Sequence, residues 1–172
     1  AERVRDVVMV MEGIENWSDN AAQMDPANMN IVAMLPVKSP VVHYGGRPLL
    51  EYSIENALAS ELISHVVVAA DNEEHLKIAQ DAGVEAIETS FDHPNGTSRL
   101  AEVSARLANE LPSNAILVNV QGDEPELEPD AIDAVILALS DDPDADMSTI
   151  AAPFGPGDDP TDPNQVKVVM GL

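Results

Sequence analysis

The 172-residue chain contains 45% hydrophobic residues, 3% aromatic residues and no cysteine. This length supports one domain with a sizeable core, and the lack of cysteine excludes a disulfide framework, a thiolate nucleophile and a sulfur-ligated zinc. The net charge of −23, from 31 acidic and 8 basic residues, argues against nucleic acid or an anionic membrane as a partner and is typical of solubility in a salty medium. No apolar run approaches the ~20 residues that span a bilayer, so we expect a cytoplasmic protein.

Two regions differ in character along the chain. Residues 1–28 have mixed polarity and a turn-rich end, and we interpret them as a poorly specified N-terminal extension. Residues 29–172 alternate between strand-like and helix-like patterns and form the predicted domain. Apolar runs predict strands at 31–35, 65–70, 84–88, 115–120, 147–152 and 166–170.

Helical spacing of apolar residues predicts four helices between these strands. The second is expected to begin at a capping box of Asp71 and Glu74 and to end at Gly83, and the fourth has Pro129 as its first residue. The apolar positions of the other faces are Leu50, Ile54, Ala57 and Leu58 in the first helix, Leu100, Val103, Leu107 and Leu111 in the third, and Ile132, Val135, Ile136 and Leu139 in the fourth.

This alternation predicts an α/β fold with three layers and a largely parallel sheet. In such sheets ligands bind beyond the carboxyl ends of the strands. The rule selects the loops that follow the first four strands, at 36–48, at Asp71, at 89–99 and at 121–128.

The fourth of these loops reads "QGDEP" and begins directly after a buried strand. Asp123 is well placed there to hold Mg²⁺, which takes one or two carboxylates together with substrate phosphates. No Lys or Arg lies between Arg106 and Lys167, so a metal would supply positive charge that this part of the chain lacks. The alternative is an Asx-type turn that closes the strand, and the pattern alone favours neither.

The loop "DHPNGTSR" at 92–99 leads into the third helix. Gly96 allows close approach of a ligand, Thr97 lies near a helix N-terminus that can receive an anion, and Arg99 is one of few cations at this edge. The alternative is a plain turn and helix N-cap followed by an arginine on the protein surface, which fits the same sequence. "GGRP" at 45–48 lacks both common phosphate-loop spacings, and the four histidines, His43, His65, His75 and His93, are interpreted as surface or loop residues.

Taken in order, these segments resemble one family. The strings "HVVVAADNEEHLKIAQDAGVEAIETSFDHPNGTSRLAEV", "ILVNVQGDEPELEPDAID", "ADMSTIAAP" and "DPNQVKVV" resemble 3-deoxy-manno-octulosonate (Kdo) cytidylyltransferase, over about residues 30–171. The resemblance implies a Rossmann-like fold of the nucleotide-diphospho-sugar transferase type. It also implies an Mg²⁺-dependent enzyme of lipopolysaccharide synthesis that converts CTP and Kdo to CMP-Kdo and pyrophosphate, usually as a homodimer.

The resemblance also implies roles for individual residues. Asp123 would be the catalytic metal ligand at the α-phosphate, and Gln121 would contact the sugar acid. Lys38 would correspond to the catalytic lysine of the first phosphate loop. The remaining substrate-binding positions would be Pro36, Asp71, Gly96, Thr97 and Arg99.

Two departures from the family pattern bear on activity. The basic first loop of the family, P-A-R-x-x-S-x-R-x-P-G-K, is replaced by "PVKSPVVHYGGRP", without the two arginines and the serine. The sequence also ends at Leu172, before the second metal-binding aspartate and much of the dimer interface of the family. Losing such contacts weakens phosphate binding by roughly 1.5–3 kcal/mol for each charged hydrogen bond. A non-catalytic remnant with the same fold, or a related nucleotidyltransferase for another sugar acid, therefore stays open as an alternative, and the dimer is in doubt.

Overall fold

One mixed sheet dominates the computed structural model, which describes residues 9–12, 30–112, 114–151, 153–157, 159–162 and 168. Its strands are β1 Met9–Glu12, β2 Ile31–Pro36, β5 His65–Ala70, β6 Glu85–Glu88, β7 Ile116–Asn119 and β8 Met147–Thr149, and a separate two-stranded ribbon contains β3 His43–Tyr44 and β4 Arg47–Pro48. In this part of the chain the sheet order is β6-β5-β2-β7-β1-β8. Strands β2, β5, β6 and β7 are parallel, and β1 pairs antiparallel with both β7 and β8.

Helices cover both faces of this sheet. They are α1 Leu49–Ala59, α2 Glu73–Asp81, α3 Gly96–Leu107 and α4 Pro129–Asp141. Because side chains alternate along a strand, Ile31, Ala33 and Leu35 pack with α1, α2 and α4, whereas Val32 and Met34 pack against α3. The predicted three-layer α/β fold is confirmed. No helix in the described ranges is long and apolar enough to cross a bilayer.

The strand register brings three carboxyl ends to one edge. Pro36 of β2 lies opposite Ala69 of β5, and Met34 of β2 lies opposite Asn119 of β7. The loops that follow these strands therefore meet above the same edge. Backbone bonds extend the alignment past the strands, since Val37 N donates to Ala69 O at 3.0 Å and Val120 N donates to Met34 O at 3.1 Å.

Several expectations for local structure need correction. Helix α2 is capped by Asn72, whose side chain accepts from the His75 N–H, and not by Asp71. The reason is that the Asp71 carboxylate is bound to Ser39 and Arg99. His75 is not a surface residue, because only 4% of it is exposed. Helix α3 ends at Leu107, although Leu111 still packs against the same apolar cluster.

Two expectations involve segments that the structure describes only in part. Within residues 1–28, Met9–Glu12 forms β1, inserted between β7 and β8. The predicted strand at 166–170 lies outside the described residues except for Val168. Of the other predicted strands, 65–70 is found with the same bounds, and the rest have ends that differ by up to three residues, as expected for element boundaries.

Candidate active site

A cleft of about 220 Å³ opens at the carboxyl edge of the sheet. Six of the eight predicted site residues line it, namely Pro36, Lys38, Gly96, Arg99, Gln121 and Asp123. Thr97 is exposed beside Gly96, and Asp71 lies behind the wall, in contact with Arg99. The structure thus brings together residues from three loops that are far apart in the sequence.

The loop that carries Asp123 is held by helix α1. Ser53 Oγ donates to the Gly122 carbonyl at 3.1 Å, and Asn56 Nδ2 donates to the Pro125 carbonyl at 3.0 Å. A Cβ atom added at Gly122 would overlap Val37 Cγ1 and lie 3.3 Å from the Pro36 carbonyl oxygen. Glycine is therefore required here by close packing of the loop against the end of β2.

Asp123 itself is exposed at the cleft. The turn around it is closed by the backbone, since Glu124 N donates to Gln121 O at 3.2 Å. An Asx turn would need the N–H of the residue two positions later, which is Pro125 and has none. In the described part of the chain no side chain bonds to the Asp123 carboxylate, so the turn does not account for it.

One carboxylate fits a magnesium ion that is completed by water and substrate phosphates. In the described ranges no group of three or more His, Asp or Glu side chains comes together that could hold a metal alone. A metal at Asp123 would therefore depend on oxygens that the substrate supplies.

The N-terminus of α3 forms a second wall of the cleft. Asn95 caps this helix by accepting from Ser98 N at 2.8 Å. Gly96 is its first residue, and a Cβ atom there would lie 3.1 Å from Pro36 Cγ. Within the described structure the N–H groups of Gly96 and Thr97 have no acceptor, so this first turn presents donors suited to an anion.

Arg99 has a buried partner rather than a free guanidinium. Its Nη2 donates to Asp71 Oδ2 at 3.0 Å and its Nη1 donates to Thr89 Oγ1; the Arg99 and Asp71 side chains are 3% and 0% exposed. Asp71 Oδ1 also accepts from the backbone N–H and the hydroxyl of Ser39, at 3.2 and 3.1 Å. One carboxylate thus ties α3 to the loop that carries Lys38.

The protonation state of this network follows from its contacts. Burial of Asp71 by itself favours the neutral acid, but the hydrogen bonds from Asn72 and Ser39 and the charge of Arg99 together lower its pKa below the usual value. Burial lowers the pKa of His75, against the opposing charges of Asp71 and Glu74. His75 Nδ1 accepts from Asn72 Nδ2 at 2.6 Å, which also requires an unprotonated ring nitrogen.

Two further side chains shape the mouth of the cleft. Lys38 Nζ lies 5.7 Å from the centroid of the exposed Phe91 ring, within the range of a cation–π contact. His93 Nε2 lies 2.5 Å from Glu102 Oε2, and this hydrogen bond, with that of Ser90 N, lowers the pKa of Glu102. Among the residues that the structure describes, Lys38 and Arg99 are the only ones lining the cleft that carry a Lys or Arg side chain.

Sequence reasoning did not identify several residues that build this site. Asn119 accepts from Gln121 Nε2 at 2.8 Å, Ser53 and Asn56 hold the Asp123 loop, and His75 lines the cleft. The sequence feature that could have identified two of them is a polar residue at a position where the pattern is apolar, as for Ser53 on the buried face of α1 and Asn119 at the end of β7. Such residues need a hydrogen-bond partner when buried.

The fold is that of an α/β protein, and its cleft opens at the carboxyl edge of the sheet, which is where proteins with such sheets bind their ligands. Residues 37–171 match the family model described as cytidylyltransferase. The chain is 40% identical over 150 residues to the 3-deoxy-manno-octulosonate cytidylyltransferase of Chromohalobacter salexigens, covering 83% of this chain and 58% of the relative. The enzyme of the same name from Leptospira biflexa is 38% identical, and the match covers 76% of this chain and 52% of the relative. The one from Geobacter sulfurreducens is 36% identical, and the match covers 84% of this chain and 59% of the relative.

Solved structures agree with the sequence matches. A CMP:2-keto-3-deoxy-manno-octonic acid synthetase complexed with CTP superimposes with a TM-score of 0.59 and 29% identity, covering 67% of this chain and 49% of the other. A 4-diphosphocytidyl-2C-methyl-D-erythritol synthase superimposes with a TM-score of 0.56 at 16% identity over 64% of this chain and 54% of the other, which supports the fold alone. The chain belongs to the cytidylyltransferase family, and it spans less than three fifths of the length of the relatives it matches.

Proposed function

We propose that this chain transfers CMP from CTP to Kdo and releases pyrophosphate, as a step of lipopolysaccharide synthesis. The relatives at 36–40% identity are enzymes named for this sugar acid, and one structural relative was solved with CTP. The observation that carries the proposal is the cleft, which joins Lys38, the first turn of α3, Gln121 and Asp123 at one sheet edge.

The groups in this cleft suit a phosphoryl-type transfer. A hydroxyl oxygen of the sugar acid forms a bond to the α-phosphorus, the bond from that phosphorus to the pyrophosphate oxygen breaks, and the hydroxyl proton passes to solvent. The protein has little covalent work in such a reaction and acts chiefly by positioning and charge stabilisation. Lys38 and the N–H groups of Gly96 and Thr97 would hold phosphate oxygens, while Gln121 would contact the sugar acid.

Magnesium is part of this proposal. Asp123 would hold it, because this exposed carboxylate has no protein partner within the described structure and Mg²⁺ accepts a single carboxylate when phosphates complete its shell. When bound, the ion would neutralise charge on the phosphates. The rest of the cleft offers little positive charge, since Arg99 is paired with Asp71.

That pairing supports a second candidate, a non-catalytic chain that keeps the fold and binds nucleotide. With Arg99 engaged, Lys38 is the only Lys or Arg among the described lining residues that has no ion-pair partner. A triphosphate would then be held by one lysine, the helix N-terminus and the metal.

Pyrophosphate release from CTP, Kdo and Mg²⁺ tests the first candidate directly. We expect Asp123→Asn to lower kcat/KM by at least about 100-fold, the order of loss when one preorganised charge-stabilising group is removed. The matched control is Asp81→Asn, which changes an exposed carboxylate that pairs with Lys77 and lies outside the cleft lining. Circular dichroism of both variants verifies the fold.

Calorimetry with CTP and Mg²⁺ separates the two candidates. Turnover that depends on Asp123 supports the enzyme, whereas CTP binding without turnover supports the non-catalytic chain. Turnover with CTP and a different sugar acid, but not with Kdo, would overturn the assignment of the acceptor. Full activity of Asp123→Asn would overturn the metal assignment.

A further inference from the structure

The side-chain amide of Gln121 lines the cleft with one end that accepts hydrogen bonds and one end that donates them. We propose that Asn119 is a positioning residue that fixes this amide with Oε1 directed into the cleft, as an acceptor for a hydroxyl group of the ligand. The identity of that ligand rests on the proposed function. The orientation of the amide does not, because it follows from contacts within the protein.

Asn119 is held firmly at the end of β7. It is 7% exposed, and its backbone lies opposite Met34 of β2 on one side and Met9 of β1 on the other. Residues two apart in an extended chain project to the same side, so Asn119 and Gln121 are neighbours. Asn119 Oδ1 accepts from Gln121 Nε2 at 2.8 Å.

This hydrogen bond determines the other end of the amide. With Nε2 directed at Asn119, Gln121 Oε1 faces the N-terminus of α3, 3.6 Å from the position that a Cβ atom on Gly96 would occupy. Gln121 and Gly96 both line the cleft. In the described part of the chain no group donates to Gln121 Oε1, so its lone pairs are available to a ligand.

An amide oxygen accepts hydrogen bonds and repels other acceptors. The ligand group at this position must therefore donate, as a hydroxyl can and as an ionised carboxylate or phosphate oxygen cannot. Under the proposed function two sources carry such hydroxyls, the ribose of CTP and the sugar acid. Phosphate oxygens held by Lys38 and by the N–H groups of Gly96 and Thr97 would then have to lie away from Gln121 Oε1, and so would the carboxylate of the sugar acid.

Substitutions at Asn119 distinguish the two amide orientations. Asn119→Asp keeps an acceptor for Gln121 Nε2 but adds a carboxylate at a buried position, so the effect of that charge is measured separately as the change in KM that the same substitution causes in a Gln121→Met background. After this charge effect is removed, we expect KM of Asn119→Asp to stay within about 2-fold of wild type. Asn119→Leu removes the acceptor and releases the amide, so we expect KM to rise by roughly 3–10-fold, the loss of one neutral hydrogen bond, with a smaller change in kcat. If Asn119→Asp, corrected for its charge, raises KM as much as Asn119→Leu, the amide faces the other way and the proposal is wrong.

A double-mutant cycle tests whether Asn119 acts through Gln121. Gln121→Met removes both ends of the amide, and adding Asn119→Leu to it should raise KM no further. An equal additional rise would show that Asn119 acts independently and would overturn the proposal. The substrate whose KM rises in Asn119→Leu identifies the hydroxyl, CTP for the ribose and Kdo for the sugar acid.

Ligand-free NMR keeps the orientation testable if wild-type protein shows no turnover. We expect slower hydrogen exchange at the Gln121 side-chain amide than at that of the exposed Gln80, with the slow exchange kept in Asn119→Asp and lost in Asn119→Leu. Fast exchange at Gln121 in wild type would overturn the proposal. Absence of turnover, in contrast, counts only against the proposed function.

Discussion

Removing the charge of Asp71 gives the sharpest test of how this site is built. Asp71→Asn keeps the size of the side chain and can still accept from Ser39, but it leaves the guanidinium of Arg99 without a counter-charge. The two side chains are 0% and 3% exposed in the native structure. Breaking a buried ion pair by removing one partner costs about 3–5 kcal/mol, which for a chain of this size lowers Tm by about 6–20 °C.

Differential scanning calorimetry and urea unfolding measure this loss. The matched control is Asp81→Asn, because Asp81 and Lys77 form an ion pair with both side chains exposed and such pairs contribute roughly 0–1 kcal/mol. Similar losses in the free energy of unfolding of the Asp71 and Asp81 variants would show that the buried pair stabilises the protein no more than the exposed pair does.

The pair also predicts a non-additive effect. In the double variant with Arg99→Met no charge remains buried, and apolar replacements of buried pairs are often tolerated. We therefore expect the double variant to be more stable than Asp71→Asn alone, with a coupling energy of roughly 1–3 kcal/mol. A loss equal to the sum of the single losses would show that the two residues do not interact.

Three further predictions concern residues around the cleft. Gly122→Ala should lower the free energy of unfolding by about 1–3 kcal/mol, because its Cβ would overlap Val37 Cγ1. Adding Val37→Ala should restore part of this loss in urea unfolding. No restoration would show that the contact with Val37 is not the cause. Ser53→Ala should lower the free energy of unfolding by about 1 kcal/mol, because it removes the buried hydrogen bond to the Gly122 carbonyl. No measurable change in urea unfolding would show that this hydrogen bond does not stabilise the loop. Burial lowers the pKa of His75 in the folded protein, so the unfolded chain binds more protons and the free energy of unfolding falls as the pH drops below about 6.5. His75→Gln should reduce this fall between pH 7.5 and 5.5, as measured by urea titrations. An unchanged pH dependence would rule out His75 as its source.

The fold could be predicted largely from local patterns. Continuous apolar runs marked the buried parallel strands, and helical spacing marked α1, α3 and α4 because one face of each packs on the sheet. The rule that ligands bind at the carboxyl edge selected four loops, and three of them, at 36–48, 89–99 and 121–128, line the cleft. Errors occurred where a side chain had a distant partner. Asp71 has the sequence of a helix cap, but Arg99 and Ser39 bind its carboxylate and Asn72 caps α2.

The predicted roles of the site residues differ in how the structure bears on them. Asp123, Lys38 and Gln121 face the cleft as the resemblance suggested, and their roles remain predictions for the assays above. Arg99 reaches the cleft but its guanidinium binds Asp71 and Thr89. The sequence of the loop around Arg99 does not predict this ion pair, because Asp71 is distant in the sequence and reaches Arg99 only in the folded chain.

The sequence by itself determined the α/β class, the edge of the sheet where the cleft opens and the membership of a family. These follow from hydrophobic periodicity and short motifs, which act over a few residues. Only the tertiary structure decided that Asp71 partners Arg99, 28 residues away, and that Ser53 holds the Asp123 loop from 69 residues away. It also decided that Asn119 orients Gln121, because the strand register sets which polar atoms are buried together, and each buried polar atom must then find a partner among them.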